Sequence, residues 1–247
     1  MMQQKPERIA KIIAAAGVCS RRDAERYIAE GRVAVNGKVL DTPACTVTDD
    51  DDITIDGRPL PNKKTTRMWI YNKPAGLVTT AHDPQGRPTV FENLPRRLGR
   101  VISIGRLDLN SEGLLLLTNN GALSRQIELP KTGLPRGYRV RVRGELTEEG
   151  LRAIENGITF EGVTYRPIQV DVENVNHHSS NHWLYLVLHE GKNREIRNVM
   201  RAVGLQVNRL IRMAYGPFEL GDLPVGKVTE VDPKVMTAFF RSIGFKE

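Results

Sequence analysis

Four consecutive leucines, Leu114 to Leu117, close the stretch IGRLDLNSEGLLLLT, and Arg106, Asp108 and Glu112 stand directly in front of them. The run is apolar enough to be a buried strand. A charged group beside an apolar interior loses much of its solvation unless it meets a partner. A chain that keeps Asp108 at that point must therefore gain something from it. With 40% hydrophobic residues in 247, the chain has room for a proper core, in one large domain or in a small and a medium one.

Lys and Arg number 36 against 29 Asp and Glu, a formal charge of +7. That balance favours a polyanionic partner such as nucleic acid over an acidic small molecule. Cys19 and Cys45 have neither the number nor the spacing of a disulfide framework or a zinc site, and are expected to act as small buried apolar residues. The N-terminal MMQQKPERIAK lacks the apolar core of a secretory signal, and no later window approaches 18 uninterrupted apolar residues. The expectation is a soluble, cytoplasmic protein that makes no use of a membrane.

In the first sixty residues, Ile9, Ile12, Ile13 and Ala16 recur at helical spacing, which predicts an amphipathic helix over residues 7–16 stopped by Gly17. Ser20 can cap a second helix, with Asp23 three positions on completing a capping box and Gly31 ending it. VAVNGKVL then reads as a hairpin turning at Asn36-Gly37. Arg21 and Arg22 fall in the first turn of the second helix, where the helix dipole disfavours cations. Free N–H groups there and two guanidinium forks suit a phosphate, and Arg8, Lys11, Arg26, Arg32 and Lys38 extend the basic cluster toward nucleic acid. The alternative is that Arg21 and Arg22 pair with carboxylates such as Glu25 or face water. The skeleton of this segment, ERIAKIIAAAGVCSRRDAERYIAEGRVAVNGKVL, resembles the RNA-binding domain first defined in small-subunit ribosomal protein S four, over residues 6–55.

Asp49 to Asp52 is expected to be a solvated turn. GRPLPNKKTT reads as an exposed connector starting near residue 57, so the small domain is assigned to residues 1–60 and a large domain to 66–247. In the large domain, strands are expected over 68–71, 114–118, 138–142 and 183–188, and helices over 123–128, 147–156, 193–203 and 234–242. Strands outnumber helices without regular βαβ alternation, so the fold class is α+β: a small two-helix plus hairpin domain followed by a mixed, largely antiparallel one.

No phosphate-binding glycine loop, dinucleotide fingerprint or zinc-protease motif is present. The histidines of HHSSNH, namely His177, His178 and His182, read as a loop tip rather than as metal ligands. What remains is Asp108 with a supply of arginines. In GKNREIRNVMRAVG, a helix would place Arg194, Arg197 and Arg201 on one basic stripe, and one of them could pair with Asp108. An aspartate beside a guanidinium stays ionised, which suits a nucleophile or base. A glycosidase-like use of Asp108 with Glu112 as a carboxylate pair is a second possibility on these residues, and a non-catalytic RNA-binding or ribosome-assembly factor a third.

GRLDLNSEGLLLLTNNG is similar to the central motif of pseudouridine synthases, and in its full form resembles the RsuA family, closest to the RluB type that acts on large-subunit ribosomal RNA. NKPAGLVTTAHDPQGRPTVF, GYRVRV and LHEGKNREIRNVMRAVGLQVNRLIRMAYGPFEL resemble that family's other conserved stretches, so the likeness runs to about residue 232. It implies uridine-to-pseudouridine conversion without cofactor or metal, by a catalytic Asp108, with Tyr138 packing on the target base, Arg197 paired with Asp108 and Arg106 helping to hold a flipped nucleotide. It also implies a ribosomal RNA or ribosome-assembly intermediate as partner. The RNA-binding candidates are Arg8, Lys11, Ser20, Arg21, Arg22, Arg26, Arg32, Lys38, Lys192 and Arg194. Where the family usually carries Lys two residues before the tyrosine, this chain has Arg136, whose fork geometry differs and which is left out of the catalytic set. A monomer is expected.

Overall fold

The computed structural model describes residues 6–62, 64–174 and 180–246. It divides into two compact units: one runs to Arg67 and takes in residues 98–102 and 119–121, and the other holds the rest.

The first unit contains β1 (Glu7–Arg8), α1 (Ile9–Ala15), α2 (Arg21–Ala29), β2 (Val33–Val35), β3 (Lys38–Val39), β4 (Thr46–Val47), β5 (Ile53–Ile55) and β6 (Arg58–Pro59). α1 starts two residues later than its periodicity predicts. Arg8 is extended, Glu7 and Arg8 pair antiparallel with β4, and the Ile9 N–H bonds to the Cys45 carbonyl. Ser20 caps α2, its hydroxyl oxygen accepting from the Asp23 N–H at 3.0 Å and donating to the Asp23 carboxylate at 2.6 Å. Asn36 and Gly37 both take positive φ, 50° and 79°, as the primed hairpin turn requires. The sheet order is β3-β2-β5-β6, so the stretch expected as an open connector begins with a strand, fixed by the Leu60 N–H on the Ile53 carbonyl. Ile9, Ile13, Ala24, Ile28 and Val33 form the core together with Cys19, while Cys45 is only half-buried at its edge.

The second unit continues with β7 (Met68–Lys73), β8 (Ile102–Ile104), β9 (Glu112–Thr118), α3 (Gly121–Glu128), β10 (Arg136–Arg143), α4 (Glu148–Asn156), β11 (Ile158–Phe160), β12 (Val163–Tyr165), β13 (Gln169–Asn174), β14 (Asn181–Leu188), α5 (Glu195–Ala202), β15 (Gln206–Tyr215), β16 (Phe218–Glu219), β17 (Val228–Glu230) and α6 (Pro233–Ser242). Its sheet runs β13-β14-β10-β15-β9-β7-β17, with β16 beside β15 and β8 beside β9. β10 pairs antiparallel with both β14 and β15, and β7 with both β9 and β17. β9 and β15 run parallel. The expected mixed, mainly antiparallel architecture is therefore what the chain builds.

Two cores flank that parallel pair. α4 and α5 pack on β10, β13 and β14 around Val140, Leu184, Leu186, Val199 and Met200. α3 and α6 pack with β7, β9 and β15 around Met68, Leu114, Leu116, Leu123 and Phe239. Leu114, Leu115, Leu116 and Leu117 are all fully buried. Because successive side chains on a strand point to opposite faces, β9 must be covered on both sides, which is why its sequence does not alternate. His182, expected in a loop, lies in β14 and is buried, whereas His177 and His178 fall outside the described residues.

Candidate active site

Asp108 sits in the loop 105–111 between β8 and β9, and two buried polar side chains fix the backbone around it. Lys73, the last residue of β7, is fully buried and donates to the carbonyls of Pro74, Asp108, Leu109 and Ser111 at 2.9, 3.2, 3.3 and 2.8 Å. Burial draws its pKa down to about 8 against the opposing pull of Asp108 and Glu112. The four carbonyl dipoles favour the ammonium form and hold the loop to the strand. The Thr79 hydroxyl donates to the Leu107 carbonyl at 2.8 Å and accepts from the Leu107 N–H at 3.3 Å, one residue before Asp108.

With its backbone clamped, Asp108 leaves its carboxylate 39% exposed, facing a guanidinium at 3.6 Å. That guanidinium is Arg194, which differs from the expectation that Arg197 is the paired cation. The difference begins in the backbone. α5 starts at Glu195 rather than at 193, and Arg194 caps it in the left-handed conformation, φ 51° and ψ 30°. Arg194 thereby leaves the helical stripe and turns its side chain to Asp108.

Arg197 stays on the helix, half-buried, donating to the Val207 carbonyl at 3.2 Å and, at 3.5 Å, to the carbonyl of Asn110 in the Asp108 loop. Its Nε is buried and has no partner among the described residues. Burial and Arg194 both lower its pKa, and Asp108 opposes them, so the aspartate's field reaches it. Arg201 pairs with Glu161 at 2.8 Å instead.

Asp108, Arg194 and Arg197 line a cleft of about 270 Å³ together with Arg106, Tyr138 and Arg212. Tyr138 is on the core-facing side of β10, at a register shift between Gly137 and Tyr138 in the pairing with β15. The extra residue there is Met213 of β15, opposite the start of β10. Arg212, 2% exposed, donates through Nε to the Leu114 carbonyl at 2.7 Å and lies over the Tyr215 ring. Arg136 also reaches the cleft, but its fork is taken by the Tyr215 hydroxyl at 3.0 Å and the Leu134 carbonyl at 3.3 Å. Glu112 is held at both oxygens by Arg209, at 2.7 and 2.9 Å, and is not part of the cleft wall. A carboxylate pair of Asp108 with Glu112 therefore has no geometric basis.

The basic candidates of the first unit divide in two. Lys11 pairs with Glu7, Arg26 with Asp23 at 3.1 Å and Glu30 at 3.7 Å, and Arg32 with Asp56 through both oxygens. Arg32 also stacks on the Tyr27 ring at 4.0 Å, and its carboxylate partners raise its pKa. Arg8, Arg21, Arg22 and Lys38 are exposed and form no ion pair among the described residues. Arg21 and Arg22 thus do not take up Glu25, and remain open to an external anion. In the second unit, Lys192 is tied to Glu190 at 2.8 Å and to the Thr164 carbonyl at 2.6 Å.

Sequence reasoning missed Lys73, Thr79, Arg212 and Glu195. Lys73 carries a signal in hindsight, a lysine closing the otherwise buried strand WIYNK. Thr79 and Arg212 carry none, since their partners are backbone groups 28 and 98 residues away.

Residues 67–202 match the family model described as RNA pseudouridylate synthase, and residues 7–53 match the S4 domain. A Rickettsia felis protein named an uncharacterized RNA pseudouridine synthase is 47% identical over 230 residues, which are 93% of this chain and 99% of that one. The ribosomal large subunit pseudouridine synthase B of Pseudomonas aeruginosa is 42% identical over 97% of this chain and 63% of its own length. A solved structure described as a pseudouridylate synthase superposes with a TM-score of 0.66 at 24% identity, covering 96% of this chain and 99% of that one.

Proposed function

The chain belongs to the RNA pseudouridylate synthase family, and we propose that it converts a defined uridine of ribosomal RNA, in the large subunit, to pseudouridine by means of Asp108. The observation that carries this reading is the clamped loop that presents a half-exposed carboxylate to a guanidinium in a basic cleft. The identity with a large subunit pseudouridine synthase supports the choice of RNA.

In the isomerisation the bond from uracil N1 to the ribose C1′ breaks and a bond from C5 to C1′ forms. The C5 proton leaves and N1 gains one, so the mass is unchanged. A carboxylate suffices for this chemistry, by attack on C1′, by addition to the uracil ring or by removal of a sugar proton. A stacked base hides all of these atoms, so the nucleotide must be flipped out at a cost of a few kcal/mol. Tyr138 offers the ring on which the extruded uracil rests, and Arg106 and Arg194 bring positive charge to its backbone. Arg194 faces the Asp108 carboxylate, while Arg197 donates to the Asn110 carbonyl of the same loop. The S4 domain contributes phosphate contacts through Arg8, Arg21, Arg22 and Lys38 and raises the effective concentration of the target.

Pseudouridine mapping of ribosomal RNA from cells with and without the protein tests this. One pseudouridine is expected to disappear, and purified protein is expected to restore it while releasing tritium from C5-labelled uridine. An unchanged map, with RNA binding intact, would instead favour a non-catalytic assembly factor.

Thr79→Val keeps the size of the side chain and removes both bonds to Leu107. Allowing Asp108 to shift is expected to lower kcat by about 10- to 100-fold, with a stability loss of about 1–2 kcal/mol. Thr79→Ser, which keeps the hydroxyl, is expected to recover most of the rate. Equal losses in the two variants would remove Thr79 from the site.

A further inference from the structure

One buried carboxyl group in the cleft wall has no place in the chemistry just described. Glu195 is 4% exposed and lines the cleft. Its Oε2 accepts the Lys192 N–H at 2.8 Å, and its own N–H bonds to the Lys192 carbonyl at 3.3 Å. These two bonds close the turn that precedes α5. Its Oε1 is buried and faces no donor. The Glu190 carboxylate is its acidic neighbour.

Two carboxylates cannot bond to each other unless one carries a proton. The surroundings decide which one. Glu190 accepts the Arg166 N–H at 2.8 Å, meets the Lys192 ammonium at 2.8 Å and has the Arg166 guanidinium at 3.8 Å. Burial pushes its pKa up, and these groups outweigh that and hold it below the usual carboxylate range. Glu195 has a single backbone donor and the deeper burial, which with the Glu190 charge raises its pKa to about 7. A proton on Glu195 Oε1 gives that orphaned oxygen a partner and removes the repulsion in one step.

We infer that Glu195, through a proton shared with Glu190, is the positioning residue that holds the turn at residues 190–195 and so presents Arg194 to Asp108. The turn ends in the left-handed Arg194, a conformation that a non-glycine residue keeps only when its neighbours over-determine it. The Lys192–Glu195 bonds supply that constraint, and the proton shared with Glu190 completes it. The charged groups that face the pair are Lys192 and Arg166. The sign follows from the raised acid. Its contribution to the turn is complete below the ordinary glutamate range, near 4.5, and is lost as pH rises through about 7. The two carboxylates then repel and the turn loosens.

The link from Glu195 to the reaction rate rests on the reading of Asp108 as the reactive carboxylate, so two readouts are needed. The first is kinetic. Glu195→Gln supplies a permanent N–H for Glu190 and a carbonyl for Lys192. It is expected to keep kcat within about twofold of the parent below neutrality and to remove the parent's fall in rate above it. Glu195→Ala is expected to lower kcat by about 10-fold or more, with KM for the RNA within about threefold. The second readout needs no activity. Infrared difference spectra of the free protein should show a protonated carboxyl band that titrates near neutrality and is missing from Glu195→Gln.

A glutamine variant as impaired as the alanine one, or a carboxyl band unchanged by Glu195→Gln, overturns the inference. Absence of tritium release from the parent protein would overturn the proposed reaction instead, and the infrared titration would still decide on Glu195.

Discussion

Asp108→Asn is expected to lower tritium release from C5-labelled uridine by about 10⁴-fold or more, roughly 5.5 kcal/mol of transition-state stabilisation. The change is nearly isosteric, so the fold has no reason to respond. Asp108 is held by its carbonyl, through Lys73, and by its neighbour Leu107, through Thr79, and neither bond involves the carboxylate. What disappears is the charge and the nucleophilic or basic oxygen. RNA affinity is expected to change by less than about threefold, because the phosphate contacts proposed for the S4 domain are untouched and one negative charge in the cleft is lost. Tyr138→Phe keeps the ring and should cost far less than Asp108→Asn. A single-turnover assay at saturating enzyme separates chemistry from binding. A residual rate within tenfold of the parent in Asp108→Asn would move the reaction to another residue.

The largest loss of stability is expected from Gly113→Ala. Gly113 has φ +96°, where side chains are strained, and a Cβ built on it would lie 2.3 Å from the Arg212 carbonyl oxygen and 2.9 Å from the Arg212 nitrogen. Both are backbone atoms of the neighbouring strand, which cannot rotate away as a side-chain tip can. Gly113 opposes Arg212 in the parallel pairing of β9 with β15, so the clash falls at the junction of the two cores. Backbone strain of about 1–3 kcal/mol and overpacking of about 1–3 kcal/mol together lower Tm by roughly 10 °C in a protein of this size. Calorimetry on the parent and variant checks this. A Tm within about 2 °C of the parent would mean that the close approach of the strands is not required.

Most of the fold was legible because its signals are local. Ser20 and Asp23 cap α2, Asn36 and Gly37 turn the hairpin, and Leu114 to Leu117 form a strand buried on both faces, as their sequence demands. The ends of α3, α4, α5 and α6 fall within about two residues of their periodic patterns, which is the ordinary uncertainty of helix termini. The start of α5 is the informative case. Helical spacing alone carries Arg194 into the stripe with Arg197, and nothing local signals that it is left-handed. Beside it the buried Glu195 reaches back to accept the Lys192 N–H, a contact that helical spacing does not announce. The candidate site was legible as a set of residue types, an aspartate with arginines and a tyrosine. Which arginine faces the aspartate was decided by tertiary structure.

The parallel pairing of β9 with β15 has a kinetic corollary. Arg212 reaches the Leu114 carbonyl across 98 residues of chain, and β15 gives the cleft wall Leu210, Arg212 and Tyr215. Closing so long a loop is entropically costly and comes late among the contacts of a domain. A ribosome-bound nascent chain that has folded its first unit can already grip RNA, yet it has no cleft until β15 has emerged. The S4 fold is thus complete in the chain well before the strand that closes the cleft.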